Sequence, residues 1–322
     1  MAYRKVDDAS LSSVADAIRS KGGTSETLVF PDGFVSAISA IQAGGGDELA
    51  RSIVNKTITS YYDDEITSIG AYAFNGCSKL QGVNAQNVAK VGDYAFENCS
   101  ALTGVNVGNT ISVGPGAFRN CTSLKRLDLP KATLLNGYLA YNCSSLTELN
   151  IPSATSGRGY AIAGTKIEHI YLPKFTNPGS SVFRDAKYLR TVDMPSLIRA
   201  EQFLFMGCSA LETVTFPKAN TVASQAMDGC SALAYADLAV CKSIGAKGFY
   251  NCTSFETLIL RKSDAICTLA NVNAFTGTKI ASGEGYIYVP SALVDRYKVA
   301  TNWSAYASQI RAIEDYPDVC GG

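Results

Sequence analysis

At 322 residues, 47% hydrophobic and 17% charged, the chain can bury an extensive core and is too apolar to be a disordered tail. Its 28 Lys and Arg balance 28 Asp and Glu, which leaves no bulk electrostatic drive toward nucleic acid or anionic lipid. No stretch approaches the ~18 apolar residues of a membrane-spanning helix, so neither a nucleic-acid partner nor a membrane span is expected.

In chain order, the first 43 residues do not repeat. "MAYRKVDDASLSSVADAIRSKGG" has no apolar core of a secretory signal, and synthesis in a cytoplasm is expected. Leu11, Val14, Ala15 and Ile18 share one helical face, between Ser10 as a cap and Gly22 as a stop. "FPDGFVSAISAIQ" reads as a second short helix from about Gly33, and "AGGG" at 43–46 as a flexible joint. Two such helices bury too little to fold well alone. They imply a partner: the first coil beyond the linker at 44–65, a second copy in a homo-oligomer, or a larger assembly.

From residue 66 to 290 the sequence rewrites itself. "AFENCSAL" returns 22 residues later as "AFRNCTSL", and the anchoring cysteine recurs at Cys77, Cys99, Cys121, Cys143, Cys208, Cys230 and Cys252. Thr165, Ala186 and Thr278 stand at the same place in shortened or degenerate copies. A fixed period in the twenties marks a solenoid of stacked coils, each too small to bury its own apolar face. In "SLKRLDLP" the leucines at 124, 127 and 129 turn inward from a short strand, and the proline closes it. "ITSIGAYAF" then turns the coil, with Gly70 at a bend and Phe74 inward.

The cysteine column invites a disulfide or metal reading. Stacked side chains point the same way, however, so their Cβ atoms lie farther apart than the ~3.8 Å a disulfide prefers. There is no C-x-x-C, and the single histidine, His169, lies on a strand. Buried free thiols in small core sites are the expectation, with no metal and no cofactor. Asn98, Asn120, Asn142 and Asn251, each preceding a cysteine, are expected to bond turn backbone. Cys241, Cys267 and Cys320 fall outside the column, and whether Cys320 is exposed is left open.

These residues carry a resemblance. The unit A-[FY]-x-N-C-[ST]-S-L-x-x-L-x-[LI]-P…SIG-x-x-[AG]-F resembles the BspA-like class of leucine-rich repeats over about residues 60 to 290. The resemblance implies a right-handed leucine-rich repeat solenoid of parallel short strands, with about ten ~22-residue coils. It departs from the pattern at Ala140 and Met227, where the inward Phe is replaced, and at 261 to 274, where one coil is lengthened. After the last repeat, residues 291 to 322 read as a helical cap. Ser291 is the expected N-cap, and Leu293, Tyr297, Trp303, Tyr306 and Ile310 cover the open end of the stack.

The segment "LSSVADAIRSKGGTSETLVFPDGFVSAISAI" is similar to an N-terminal module of phage and prophage tail proteins of Gram-positive bacteria. That similarity implies attachment to other tail proteins through residues 1–43, a place in the virion, and release by lysis. The BspA-like resemblance alone implies a bacterial cell-surface adhesin for host matrix or mucosal glycoprotein. A purely structural tail component is the third reading.

No catalytic constellation stands out. His169 has no evident triad partners, and "AGGGDE" lacks the Lys-Ser/Thr of a phosphate loop. Asp63, Asp64 and Glu65 read as a solvated turn, and a non-enzymatic protein is expected. The outward strand positions form two columns. One runs through Asn84, Asn106, Asp128, Asn150, Tyr171, Asp193, Thr215, Asp237, Ile259 and Tyr288. The other runs through Gly82, Gly104, Arg126, Glu148, His169, Thr191, Thr213, Tyr235, Thr257 and Tyr286. Rings supply contact area, and amides and carboxylates supply hydrogen bonds. A bacterial surface polysaccharide or a protein receptor is therefore the expected partner. The candidate contacts are Arg126, Asp128, Glu148, Asn150, His169, Tyr171, Asp193, Tyr235, Asp237, Tyr286 and Tyr288.

Overall fold

The computed structural model describes residues 52, 53 and 55–321. The proposed attachment module at 1–43, and residues 44–51 of the linker, lie outside the described residues. From Ser60 onward the chain winds into a solenoid in which each coil supplies two short strands, and every strand pairing is parallel. Among the described residues twelve strands line one face, from Ser60–Tyr62 to Ile310–Ala312, and ten two-residue strands line another, from Ser68–Ile69 to Thr268–Leu269. The long-strand face exceeds the expected ten because Ser60–Tyr62 precedes the repeat and Ile310–Ala312 is added by the C-terminal segment.

Register follows the repeat: Gly82 pairs with Gly104, Asn84 with Asn106, Arg126 with Glu148 and Asp128 with Asn150. Equivalent positions therefore stack into columns. The three apolar positions of each strand point inward, and Leu124, Leu127 and Leu129 are fully buried. Behind them Phe74, Phe96 and Phe118 stack with ring centroids 5.2 and 5.3 Å apart and planes within 8° of parallel. Each buried ring is worth roughly 1.5–3 kcal/mol of transfer free energy. The stack stops at Ala140 and resumes at Phe183 and Phe205, 5.3 Å apart. Met227 then fills the position, also fully buried.

The ten cysteines are free and buried. Six column thiols also bond: Cys99, Cys121, Cys143, Cys208, Cys230 and Cys252 each donate to the carbonyl of the inward residue one coil earlier, at 2.9–3.1 Å. Each of these carbonyls also accepts a backbone N–H from its own coil, so the thiol supplies a second donor that ties neighbouring coils together. Thr165 and Thr278 replace it with a hydroxyl bonded inside their own coil. The residue before each anchor (Gly76, Asn98, Asn120, Asn142, Gly164, Asp185, Gly207, Gly229, Asn251, Gly277) has a positive φ of 56 to 81°. That is why Asn, Gly and Asp alternate there: they tolerate the left-handed region best.

The lengthened coil at 261 to 274 places Arg261 beside the sheet and brings Cys267 within 3.7 Å of Cys241, sulfur to sulfur. The cap is only partly helical. Val294–Val299 and the 3-10 segment Trp303–Gln309 close the stack, with Leu293, Tyr297, Trp303, Tyr306 and Ile310 all buried. Trp303 donates its indole N–H to the Cys267 carbonyl at 2.7 Å, and the Tyr297 hydroxyl accepts from the Cys267 N–H at 2.6 Å. Ser291 does not cap with its side chain; its N–H donates to the Glu314 carboxylate, and Pro290 precedes the turn.

Candidate binding face

The strand registers bring the outward positions into two ladders. His169 lies opposite Thr191 and Tyr171 opposite Asp193. Farther along, Thr213, Tyr235, Thr257 and Tyr286 align, as do Thr215, Asp237, Ile259, Tyr288 and Arg311. The ladder contacts are polar and local. Asn106 donates to Asn84 at 2.8 Å, Asn150 to Asp128 at 2.7 Å, and Arg126 to Glu148 at 2.8 Å. Both partners of the Arg126–Glu148 pair are more than half exposed, so the pair organises the surface more than it stabilises it.

Among the described residues the long-strand ladder has three gaps, before Arg126–Asp128, before His169–Tyr171 and before Thr213–Thr215, and the middle one coincides with a shortened coil. Strand His169–Tyr171 begins 21 residues after Glu148 rather than 22. Among the described residues, no strand pairing joins Glu148–Asn150 to His169–Tyr171. The missing residue falls in the turn before the strand, where Lys166 N–H bonds to the Leu146 carbonyl. A groove of about 620 Å³ opens at this break. Arg126, Glu148 and Asn150 line one side; Lys166, Glu168, His169, Tyr171, Thr191 and Asp193 line the other. Tyr171 stands 58% exposed at its lip, and His169 Nδ1 pairs with the Thr191 hydroxyl. Lys166 and Glu168 were not among the expected contacts. The shortened copy marks this place in the sequence, although the ladder also breaks before Arg126 and before Thr213, where no residue is missing.

The C-terminal coils differ. The last helix, Pro317–Cys320, folds back over the outward face and forms a second small core with Ile259 and Tyr288. Ile259 is fully buried, Tyr288 is 5% exposed, and Cys320 is 2% exposed. Tyr316 packs edge-on against Tyr288 at 5.3 Å. Arg261 grips the Asp237 carboxylate with two nitrogens at 2.7–3.0 Å and also donates to the Cys320 carbonyl. Burial, and then the Asp237 charge, push the Tyr235 hydroxyl above its ordinary pKa. Burial does the same for Tyr288. The expectation that Asp237 and Tyr288 present themselves to a partner is thus corrected: the C-terminal helix covers Tyr288, and Arg261 of the lengthened coil occupies Asp237. Tyr235 is half-buried beside them, while Tyr286 stays 38% exposed with the Arg311 guanidinium 4.6 Å over its ring. Among the described residues, no cluster of three or more His, Cys, Asp or Glu could hold a metal ion.

A family model described as a BspA type leucine rich repeat region matches residues 55–157, 131–234 and 176–285. The chain belongs to this family. No curated protein matches it. Among solved structures, this BspA-type chain is similar to a leucine rich cell surface protein from Faecalibacterium prausnitzii, at 22% identity and a TM-score of 0.46, over 79% of this chain and 78% of that one. It is also similar to a leucine-rich repeat protein from Bacteroides ovatus, at 18% identity and a TM-score of 0.47, over 80% of this chain and 85% of that one. None of the described helices is long and apolar enough to cross a membrane.

Proposed function

We propose that this BspA-type protein is a non-enzymatic adhesin that holds its partner through the open part of the sheet face, from Arg126 to Asp193. The observation that carries the reading is the groove at the interrupted ladder. It combines an exposed ring, an amide and both signs of charge on a rigid stack. Such a mixture suits a polysaccharide or a glycosylated protein surface, where rings supply area and polar groups supply direction. Each contact is modest, and display in many copies multiplies it. The partner is a surface receptor, host matrix or mucosal glycoprotein in the adhesin reading.

A second reading rests on residues 11–41, whose similarity to phage tail modules makes the solenoid the display body of a tail protein. It places the same face against a bacterial surface polysaccharide or protein. One experiment separates the two. Labelled full-length protein is applied to a panel of Gram-positive cells and to immobilised matrix glycoproteins, with the Tyr171→Ala/His169→Ala double variant alongside. Binding to matrix glycoproteins, lost in the variant, supports the adhesin. Selective labelling of a few bacterial strains, lost in the variant, supports the tail protein. Binding that survives in the variant removes the groove as the binding site, and binding to neither surface leaves a structural role.

A further inference from the structure

A second concavity lies on the turns that lead from the short strands back to the sheet. It shares no lining residue with the sheet groove. The position before each left-handed Asn, Gly or Asp holds a long or polar side chain in neighbouring coils: Asn75, Glu97, Arg119, Tyr141, Arg184, Met206. Only alanine stands there in the coil of Ala163, and the next residue is Gly164. The missing side chain leaves a pit of about 360 Å³ between Tyr141 and the following coil, at the lower end of the ~300–1,000 Å³ usual for small-ligand sites.

The walls are three tyrosines, Tyr141, Tyr160 and Tyr188, together with Asn142, Asp185 and Lys187. Tyr160 is held in place: its ring stacks on Tyr138 at 5.6 Å, and the Arg184 guanidinium lies 5.4 Å above it. Its φ of 60° is left-handed, a conformation bulky residues seldom adopt. The coil demands that conformation in every turn, but it does not demand a ring, since Ser181, Gln225 and Lys247 occupy the same place with φ near 60°. Asn142 differs from Asn120. Asn120 in its column donates its amide to Asn98 at 2.8 Å, whereas among the described residues Asn142 has no side-chain hydrogen bond.

We infer that the pit is a saccharide subsite that takes one pyranose ring of a neutral glycan. The exposed Tyr188 ring meets the C–H face of the sugar, Tyr141 and the edge of the Tyr160 ring bound the pit, and Asn142, Asp185 and Lys187 meet its hydroxyls. Asp185 is paired with Arg184 at 3.7 Å, and water screens the exposed Lys187, so hydrogen bonding rather than charge selects the ligand. The inference does not depend on the sheet groove, so Tyr171→Ala leaves it intact.

The test uses full-length protein with cellobiose, maltose and N,N′-diacetylchitobiose as probes, sialyllactose as the charged comparison, and saturation-transfer NMR as the readout. At least one neutral disaccharide is expected to bind. Ala163→Met fills the pit with a side chain the fold already carries at Met206, and it raises the Kd at least tenfold. Tyr188→Ala, at a half-exposed position, weakens binding while the circular dichroism spectrum stays that of the wild type. No binding by any neutral probe, a preference for sialyllactose, or binding unchanged in Ala163→Met overturns the inference.

Discussion

Between Arg126 and Asp193 the sheet face carries its outward side chains into open space, and a groove opens where a shortened coil coincides with a gap in the ladder. Between Asp237 and Tyr288 the same column, in the same parallel register, lies under the chain's own last helix. The repeat builds both regions by one rule, so the difference comes from its departures: one residue removed before His169, and several added after Leu260. In this solenoid the regular positions make the body, and the irregular ones decide which surface is left for a partner.

The covered end relies on the cap, and the sharpest way to break the comparison is to remove its centre. Trp303 is 1% exposed, packs 5.3 Å from Tyr297, and donates to the Cys267 carbonyl. Trp303→Ala is expected to cost about 3–5 kcal/mol, read by urea denaturation, whereas Tyr171→Ala in the open region stays within about 0.5 kcal/mol. Equal losses would mean that the two regions are not supported differently.

Next comes the thiol column, which both regions share. Replacing Cys208 by Ala removes the second of two donors to the Phe183 carbonyl, which keeps the Ala186 N–H, and leaves a small void, a loss of about 1–2 kcal/mol. Serine, which restores a donor, recovers part of it. The same column makes the fold sensitive to alkali. Burial, and then Cys77, push the Cys99 thiol from 9.0 to about 12. The unfolded chain releases that proton first, so this stability is fully present below about pH 9 and is lost as pH rises toward about 12. The urea midpoint should therefore fall across that window, and less steeply in Cys99→Ala.

Much of the body was legible in the sequence because the same phrase is written so often. Leu127 and Leu129 fall inward by strand alternation and Leu124 by the turn before the strand, and Asn98 and Gly76 exchange because both tolerate a positive φ. The face was legible only as two columns. The gap between Glu148 and His169 sits at a deletion whose position was visible, but the gaps before Arg126 and Thr213 carry no such mark, because pairing depends on backbone geometry. The cover over Tyr288 was hidden for a different reason. It joins Arg261 to Cys320, 59 residues apart, and no periodicity connects them. Ile259 alone hinted at it, an aliphatic residue in an otherwise polar or aromatic column.

A smaller effect is expected where Arg261 ties the end down. Arg261→Ala removes the two-nitrogen grip on Asp237 and the bond to the Cys320 carbonyl. Asp237 then remains largely buried without its cation. Because Arg261 itself is 32% exposed, the cost is about 1–2 kcal/mol rather than that of a fully buried pair. Reaction with an aromatic disulfide reagent gives a local reading: Cys320 should be modified faster in the variant, and the column thiols should not. Unchanged Cys320 reactivity would show that Ile259 and Tyr288 hold the last helix without the arginine.

The smallest change is the one that sharpens the comparison most. Arg126 pairs with Glu148 and lies 3.7 Å from Asp128, but 61% of its side chain meets solvent. Screening by water and salt leaves such a pair worth about 0–1 kcal/mol, so Arg126→Ala should move the urea midpoint barely at all. If the open region exists for recognition, the same substitution should still weaken adhesion to whichever surface the wild-type protein binds, because it strips one wall of the groove of its cation. A variant that is fully stable and poorly adhesive would place the value of these residues outside the fold. One that is stable and fully adhesive would confine recognition to the His169–Tyr171 side of the break.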